Sequence, residues 1–188
     1  MTSAESHEGA GLRAVASPER PIISSKPLTV EIVPGERLRE QIGLLPAAGA
    51  DARTLRLEVE GVRSEWNPEV GIRVFLNLPQ ADASTSTDDP HYVTTFTFFE
   101  HKGGEHEGGT EQSNHVRHEE HGNHEDAPQT FYADLTPTLQ ELHAAGLYRQ
   151  GEALQTTLIA VPIATDAESN QRAERTIPFT GVAVALQE

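Results

Sequence analysis

The histidines between residues 101 and 126 are the side chains in this sequence best suited to chemistry. They lie in the polar stretch EHKGGEHEGGTEQSNHVRHEEHGNHED, in which the last four recur at every third residue. That spacing aligns on one side of a backbone with three residues per turn but drifts around an α-helix, so two neighbouring imidazoles could chelate one ion. The predicted metal ligands are His101, His106, His115, His118, His121 and His124.

The chemistry of such a site follows from the donors that the chain offers. There is no cysteine, so a divalent metal ion must be held by nitrogen and oxygen, with nearby glutamates as further ligands or as partners of the rings. The affinity of such donors is highest for copper(II), with nickel and zinc as weaker substitutes. The alternative is a solvated, low-complexity tether that binds nothing, because its glycines make it costly to order.

Patterns of catalytic residues are absent from the sequence. The segment His118-Glu119-Glu120-His121 places its histidines three residues apart, not the four that a zinc protease helix needs. Because nucleophile-elbow, phosphate-loop and dinucleotide motifs are missing as well, we predict no catalytic residue and no organic cofactor. We interpret His143 as a hydrogen-bonded core residue of a helix, His91 as a surface residue at the start of a strand, and Trp66 as a cap on its own core.

Composition and charge exclude several classes of partner. The 188 residues carry a formal charge of -15, which repels nucleic acids and anionic membranes. No run of about 18 apolar residues is present, so no membrane span is expected. The first twenty residues lack the charged and apolar regions of a signal peptide, which makes the cytoplasm the default expectation and leaves the compartment otherwise open.

Alternating hydrophobicity dominates the chain after residue 25. The clearest case is VGIRVFLNL (70–78), and the pattern returns near residues 28–32, 55–59, 91–100, 154–163 and 176–186. Gly181 interrupts the last of these runs and indicates a bulge. The period changes to that of a helix only in TPTLQELHAAG, with Thr136 as the N-cap, Pro137 at the first helical position and Gly146 as terminator.

Many short strands with one helix predict an all-β fold. We expect an antiparallel β-sandwich of the Greek-key or jelly-roll kind, with one short helix and a long His-rich loop. Residues 1–25 are expected to form a disordered tail or linker, because they lack periodicity. Residues 26–188 then form a single domain with the His-rich insertion 101–126.

The order of several segments resembles the C-terminal domain of plant polyphenol oxidases and of tyrosinase-like bacterial proteins. These segments cover about two-thirds of the chain: GIRVFLNLP, FTFFEHK, DLTPTLQELHAAG, LQTTLIAVPI and TIPFTGVAVAL. Val74 matches the valine of the Lys-Phe-Asp-Val signature of the plant domains, and Asn77 matches as well. In that family a histidine-containing loop follows the strand that FTFFEHK occupies, and His101 is the best positional match.

The resemblance implies a role without a reaction. Type 3 copper enzymes oxidise phenols in a separate helical domain, and the β-sandwich packs over the entrance to the dicopper site and keeps the enzyme latent. We therefore expect a non-catalytic accessory domain whose partner is a dicopper oxidase domain and whose His-rich loop binds or delivers copper.

Two further interpretations remain. One is an independent His-rich, metal-binding or metal-buffering β-sandwich without an oxidase partner. The other is a carbohydrate or protein adhesion module, which the ten aromatic residues disfavour because most of them occupy predicted core positions.

Overall fold

The structure is a computed structural model that describes residues 12–19, 21–45, 53–63, 70–98, 128–149, 151–163 and 176–187. Its elements in chain order are β1 Arg13–Ala16, β2 Ile22–Ile23, β3 Leu28–Ile32, α1 Glu36–Leu44, β4 Thr54–Val62, β5 Val70–Leu76, β6 Tyr92–Thr97, β7 Gln129–Asp134, α2 Thr136–Ala144, β8 Leu154–Pro162, β9 Ile177–Pro178 and β10 Gly181–Gln187. In this part of the chain no helix has the length and apolar character needed to cross a membrane.

The strands form two four-stranded antiparallel sheets that share one core. Sheet I has the order β1-β10-β4-β7, and sheet II has the order β3-β8-β5-β6; β2 and β9 pair separately. Leu57 of sheet I and Ile72 of sheet II are fully buried in the same hydrophobic cluster. The predicted all-β sandwich is therefore confirmed.

The alternating pattern arises from this arrangement. In β4, Leu55, Leu57 and Val59 point into the core and are 0% exposed, so the residues between them face outward. Sheet II differs because Phe75 and Ile159, on its outer face, are also fully buried. A second hydrophobic cluster covers that face, and it includes Ala81 from the loop between β5 and β6.

The described residues contain two helices, so the expectation of one was wrong. Helix α1 has only Leu38 and Ile42 buried within it, and Gly35 at its N-cap supplies no side-chain hydrogen bond. Only two buried apolar positions in a nine-residue helix give a weak helical pattern. The core needs the helix nonetheless, since both side chains belong to the main cluster.

Part of the expected tail forms strands. Residues 13–16 pair with β10, and residues 22–23 pair with β9. Strands this short have too few residues for a detectable period, and their partners lie at the far end of the sequence. Residues 1–11 and residue 20 of the expected tail lie outside the described residues.

Two details of local structure also differ from expectation. The N-cap of α2 is Leu135, and the Thr136 hydroxyl instead accepts a hydrogen bond from the backbone N–H of Leu55 at 2.9 Å. The irregular position in sheet I lies in β4 near Gly61, where the register with β7 shifts, while Gly181 begins β10 opposite Glu60. Gly146 does end α2, as predicted, with a φ of 71°.

Candidate functional site

The six predicted metal ligands lie outside the described residues, and so does Trp66. The metal site therefore stays a prediction. Within the described ranges, no three residues of the metal-ligating types come together in a group that could hold an ion.

The two histidines in the described part of the chain have different environments. His91 is half-buried, and its Nδ1 lies 2.7 Å from the Leu76 carbonyl oxygen while its backbone N–H donates to Asp89. His91 thus fixes the end of the loop against β5. His143 is exposed, so the interpretation as a core histidine was wrong: α2 buries Leu139 and Leu142 but turns the next residue to solvent.

The outer face of sheet I carries the best-defined polar arrangement in the described chain. Its register aligns two rows across all four strands, from β1 to β7. The first row is Val15, Ala183, Glu58 and Tyr132, and the second is Arg13, Ala185, Arg56 and Asp134. Directly opposed residues share one face of a sheet, so these eight side chains form a single outer surface, which we call the sheet-I face.

Small residues on β10 allow long side chains to meet above it. Because Ala183 and Ala185 are short, Arg13 of β1 reaches over β10 to Glu58 of β4, with its Nη2 donating to Oε2 at 2.9 Å. Arg13 also pairs with Glu60. Arg56 donates to the other carboxylate oxygen of Glu58 at 2.7 Å. One carboxylate therefore joins two guanidinium groups from two strands.

Burial makes this carboxylate unusual for an outward-facing position. Glu58 is only 7% exposed, although it lies on the solvent side of the sheet. Burial alone would raise the pKa of its carboxyl, but the hydrogen bonds from Arg56 and Arg13 outweigh that effect and lower the pKa below its ordinary value. Burial likewise opposes the charge of Arg13, yet Glu58 and Glu60 raise the pKa of its guanidinium. Glu58 and Arg13 are therefore both charged at neutral pH.

The charged cluster also contacts an exposed aromatic ring. The Arg56 guanidinium carbon lies 4.5 Å from the centre of the Tyr132 ring, a cation–π contact. Tyr132 is 55% exposed, and Val15, at the other end of its row, is 53% exposed. The sheet-I face thus combines a fixed charged centre with exposed apolar groups on both sides.

The outer face of sheet II is closed by the chain itself. The loop of residues 77–91 lies over it, and Arg73 of β5 donates to the carbonyl oxygens of Ala83 and Thr85 at 3.1 and 3.0 Å. Within the loop, the Ser84 side chain and backbone donate to Asp82 and lower the pKa of its carboxyl. We call residues 77–91 the covering loop.

Asn77 connects the covering loop to the sheet. Its backbone has a φ of 54°, a left-handed conformation that asparagine tolerates better than most residues. Its N–H donates to the Gln155 carbonyl at 2.7 Å, and its Oδ1 accepts from the Gln155 N–H at 2.8 Å. The side chain therefore replaces one backbone partner at the point where β5 leaves the ladder.

Sequence reasoning did not find the sheet-I face. Arg13 and Glu58 are 45 residues apart, and Arg13 falls in the expected tail. The one available signal was the alternation of charged residues with buried ones in β4, which indicated an outward face but not its partners.

Comparison with known families identifies the domain. The model of the chloroplastic polyphenol oxidase C-terminal domain matches residues 48–160, more than half of the chain. The chain belongs to this family. A comparison with curated proteins finds no match.

A solved structure supports the fold of this polyphenol oxidase C-terminal domain. A recombinantly expressed latent aurone synthase, described as a polyphenol oxidase, matches with a TM-score of 0.50 and 17% sequence identity. The match covers 90% of this chain and 26% of the aurone synthase chain. The chain thus spans about a quarter of the length of the protein that it matches.

Proposed function

We propose that this chain is a non-catalytic accessory domain that shields the dicopper site of a polyphenol oxidase and keeps the enzyme latent. The family match over residues 48–160 carries the proposal. The likeness to a latent polyphenol oxidase over 90% of this chain supports it at the level of the fold. Phenol oxidation is assigned to the dicopper unit, and this chain acts as its cover.

Removal of the domain from the oxidase that carries it tests this proposal. A protease site is engineered immediately before the domain, and the initial rate of diphenol oxidation is measured before and after cleavage and separation. We expect the rate to rise at least tenfold, because substrate then reaches the copper ions. An unchanged rate, with the catalytic unit still folded and copper-loaded, would contradict the shielding role.

We further propose that the His-rich insertion binds copper(II), with zinc and nickel as weaker substitutes. Six imidazoles and the interspersed glutamates support this, since such nitrogen and oxygen donors favour copper. Calorimetry compares the whole chain with a variant in which these six histidines are glutamine, so that length and formal charge at neutral pH are kept. We expect the whole chain to release or absorb heat when copper(II) is added, and we expect the variant to show no such heat of binding.

The pH dependence of this binding distinguishes imidazole from carboxylate ligands. Imidazoles with a pKa near about 6.5 must lose a proton to coordinate, so the affinity should fall below about pH 6. An affinity that is the same at about pH 7.5 and about pH 5.5 would assign the ions to the glutamates.

The alternative of an independent metal-buffering protein is favoured only by the histidine content. It predicts copper binding together with no effect of the domain on oxidase activity. The cleavage and calorimetry experiments separate the two functions.

A further inference from the structure

The two outer faces of the sandwich differ in whether the chain already covers them. On sheet II, Phe75 and Ile159 are 0% exposed beneath the covering loop, and Ala81 of that loop, which packs against them, is 1% exposed. On sheet I, Val15 and Tyr132 remain more than half exposed. Within the described residues, the sheet-I face is the broad sheet surface that is still open to a partner.

The side chains of the sheet-I face are held in place before any partner arrives. Arg13, Glu58 and Arg56 are joined by hydrogen bonds of 2.7 to 3.2 Å, and Arg56 lies over the Tyr132 ring. Fixed side chains lose little entropy on binding, and tyrosine and arginine are the residues that most often dominate the binding energy of protein interfaces. The face therefore has the composition and the order of an interface centre.

The charge of the sheet-I face is balanced, although the chain as a whole is strongly acidic. Arg13 and Arg56 offset Glu58 and Asp134 within the two rows, whereas the whole chain has a formal charge of -15. Another acidic surface that would be repelled elsewhere can approach here. The charges of the two rows therefore add little long-range repulsion toward an acidic partner.

The size of the face fits the centre of an interface. Four strands about 4.8 Å apart and the three positions per strand that the two rows span, at about 3.3 Å per residue, give a footprint of roughly 19 by 10 Å. A standard interface buries about 800 Å² on each partner, so this area forms a core that surrounding loops must complete.

We propose that the sheet-I face is the surface through which this domain docks onto the catalytic unit of its polyphenol oxidase. The proposal rests on the function proposed above. The catalytic unit is the occupant because the matched latent polyphenol oxidase is a much longer chain, of which this domain corresponds to 26%. The remaining part of such a chain is the protein surface that a covering domain must contact.

Binding to the separated catalytic unit tests the docking face. The dissociation constant is measured for the wild-type domain, for Val15→Asp and Tyr132→Ser on the face, and for Val33→Asp as a matched control. Val33 is 63% exposed and lies between β3 and α1, away from the face. Thermal melting of each variant verifies that the sandwich is intact. If Val15→Asp lowers the melting temperature, the dissociation constant of Tyr132→Ser is used to test the docking face, because this substitution introduces no charge.

We expect both face variants to bind at least tenfold more weakly than wild type and the control to bind within threefold of it. Wild-type affinity in folded face variants would overturn the docking face and leave the proposed function standing. Failure of the wild-type domain to bind would overturn both. Self-association of the domain that Val15→Asp abolishes, seen by light scattering, would assign the face to a second copy of the chain and overturn the proposal.

Discussion

At the scale of single residues, Glu58 holds the charged centre of the sheet-I face together. Its carboxylate is the common acceptor of Arg13 and Arg56, so its removal leaves two guanidinium groups near each other without their shared partner. The two arginine side chains are 38% and 33% exposed, so water screens part of this cost.

Glu58→Gln is therefore expected to lower the free energy of unfolding by about 1–3 kcal/mol at pH 7. Glu60→Gln is the matched control, since its side chain is 31% exposed and its loss should cost below about 1 kcal/mol. Urea denaturation measures both variants. Equal losses in the two variants would contradict the special role of Glu58.

The lowered pKa of Glu58 predicts how the stability difference between wild type and Glu58→Gln depends on pH. A carboxyl whose pKa is lower in the folded state stabilises the protein above its unfolded pKa, and this contribution disappears as pH falls through the folded value. The stability difference between wild type and Glu58→Gln should thus shrink as the pH is lowered from about 5 to about 3. A difference that stays constant over that range would show that the charge of Glu58 is not the cause.

Asn77 is the second residue whose role can be isolated. Asn77→Ala removes the hydrogen bond to Gln155 and places an alanine in left-handed backbone, at an expected cost of about 2 kcal/mol. Asn77→Gly loses the same hydrogen bond, but glycine adopts the left-handed conformation without strain. This variant should therefore lower the free energy of unfolding by only about 1 kcal/mol. Thermal denaturation ranks the two; a glycine variant as unstable as the alanine variant would argue against the left-handed conformation.

At the scale of elements, sequence reasoning succeeded where a strand was long enough to show its period. The alternation of β4, β5 and β8 was visible because each has seven or more residues and contributes to the central core. It failed for β1 and β2, whose four and two residues carry no period of their own. Their existence depends on hydrogen bonds to β10 and β9, which local sequence does not encode.

The bulge of β4 gives a test at this scale. Gly61 has a φ of 61°, and an added Cβ would lie 2.5 Å from the Thr180 side chain; Gly146 has a φ of 71°, but nothing lies within 4 Å of its Cβ position. Gly61→Ala should therefore cost about 2–4 kcal/mol and Gly146→Ala about 1–2 kcal/mol. Chemical denaturation compares them, and equal costs would mean that β4 and Thr180 are not in close contact.

At the scale of the whole molecule, the sandwich was predictable but its strand order was not. Among the described strands, β5 and β6 are the one pair that is adjacent both in the sequence and in a sheet. The other pairings join distant segments, and hydrophobic patterns do not identify such partners. For the same reason the charged rows of sheet I could not be foreseen, whereas the family of the domain could be inferred from the order of its segments.

The folding unit is larger than the segment that matches the family. Residues 48–160 omit β1, β2, β3, α1, β9 and β10, and β10 lies in the interior of sheet I with Val182 and Val184 fully buried. We predict that a fragment of residues 48–160 shows no cooperative thermal transition, whereas residues 12–187 do. Circular dichroism melting compares the two; a cooperative transition in the shorter fragment would contradict the central position of β10.

The most direct test of the accessory role is to add the isolated domain back to the catalytic unit from which it was removed. The initial rate of diphenol oxidation is measured as the concentration of the domain is raised. A shielding domain predicts a rate that falls and saturates near one equivalent of domain per catalytic unit. A rate that is independent of added domain, at concentrations at which binding is detected, would contradict the central claim.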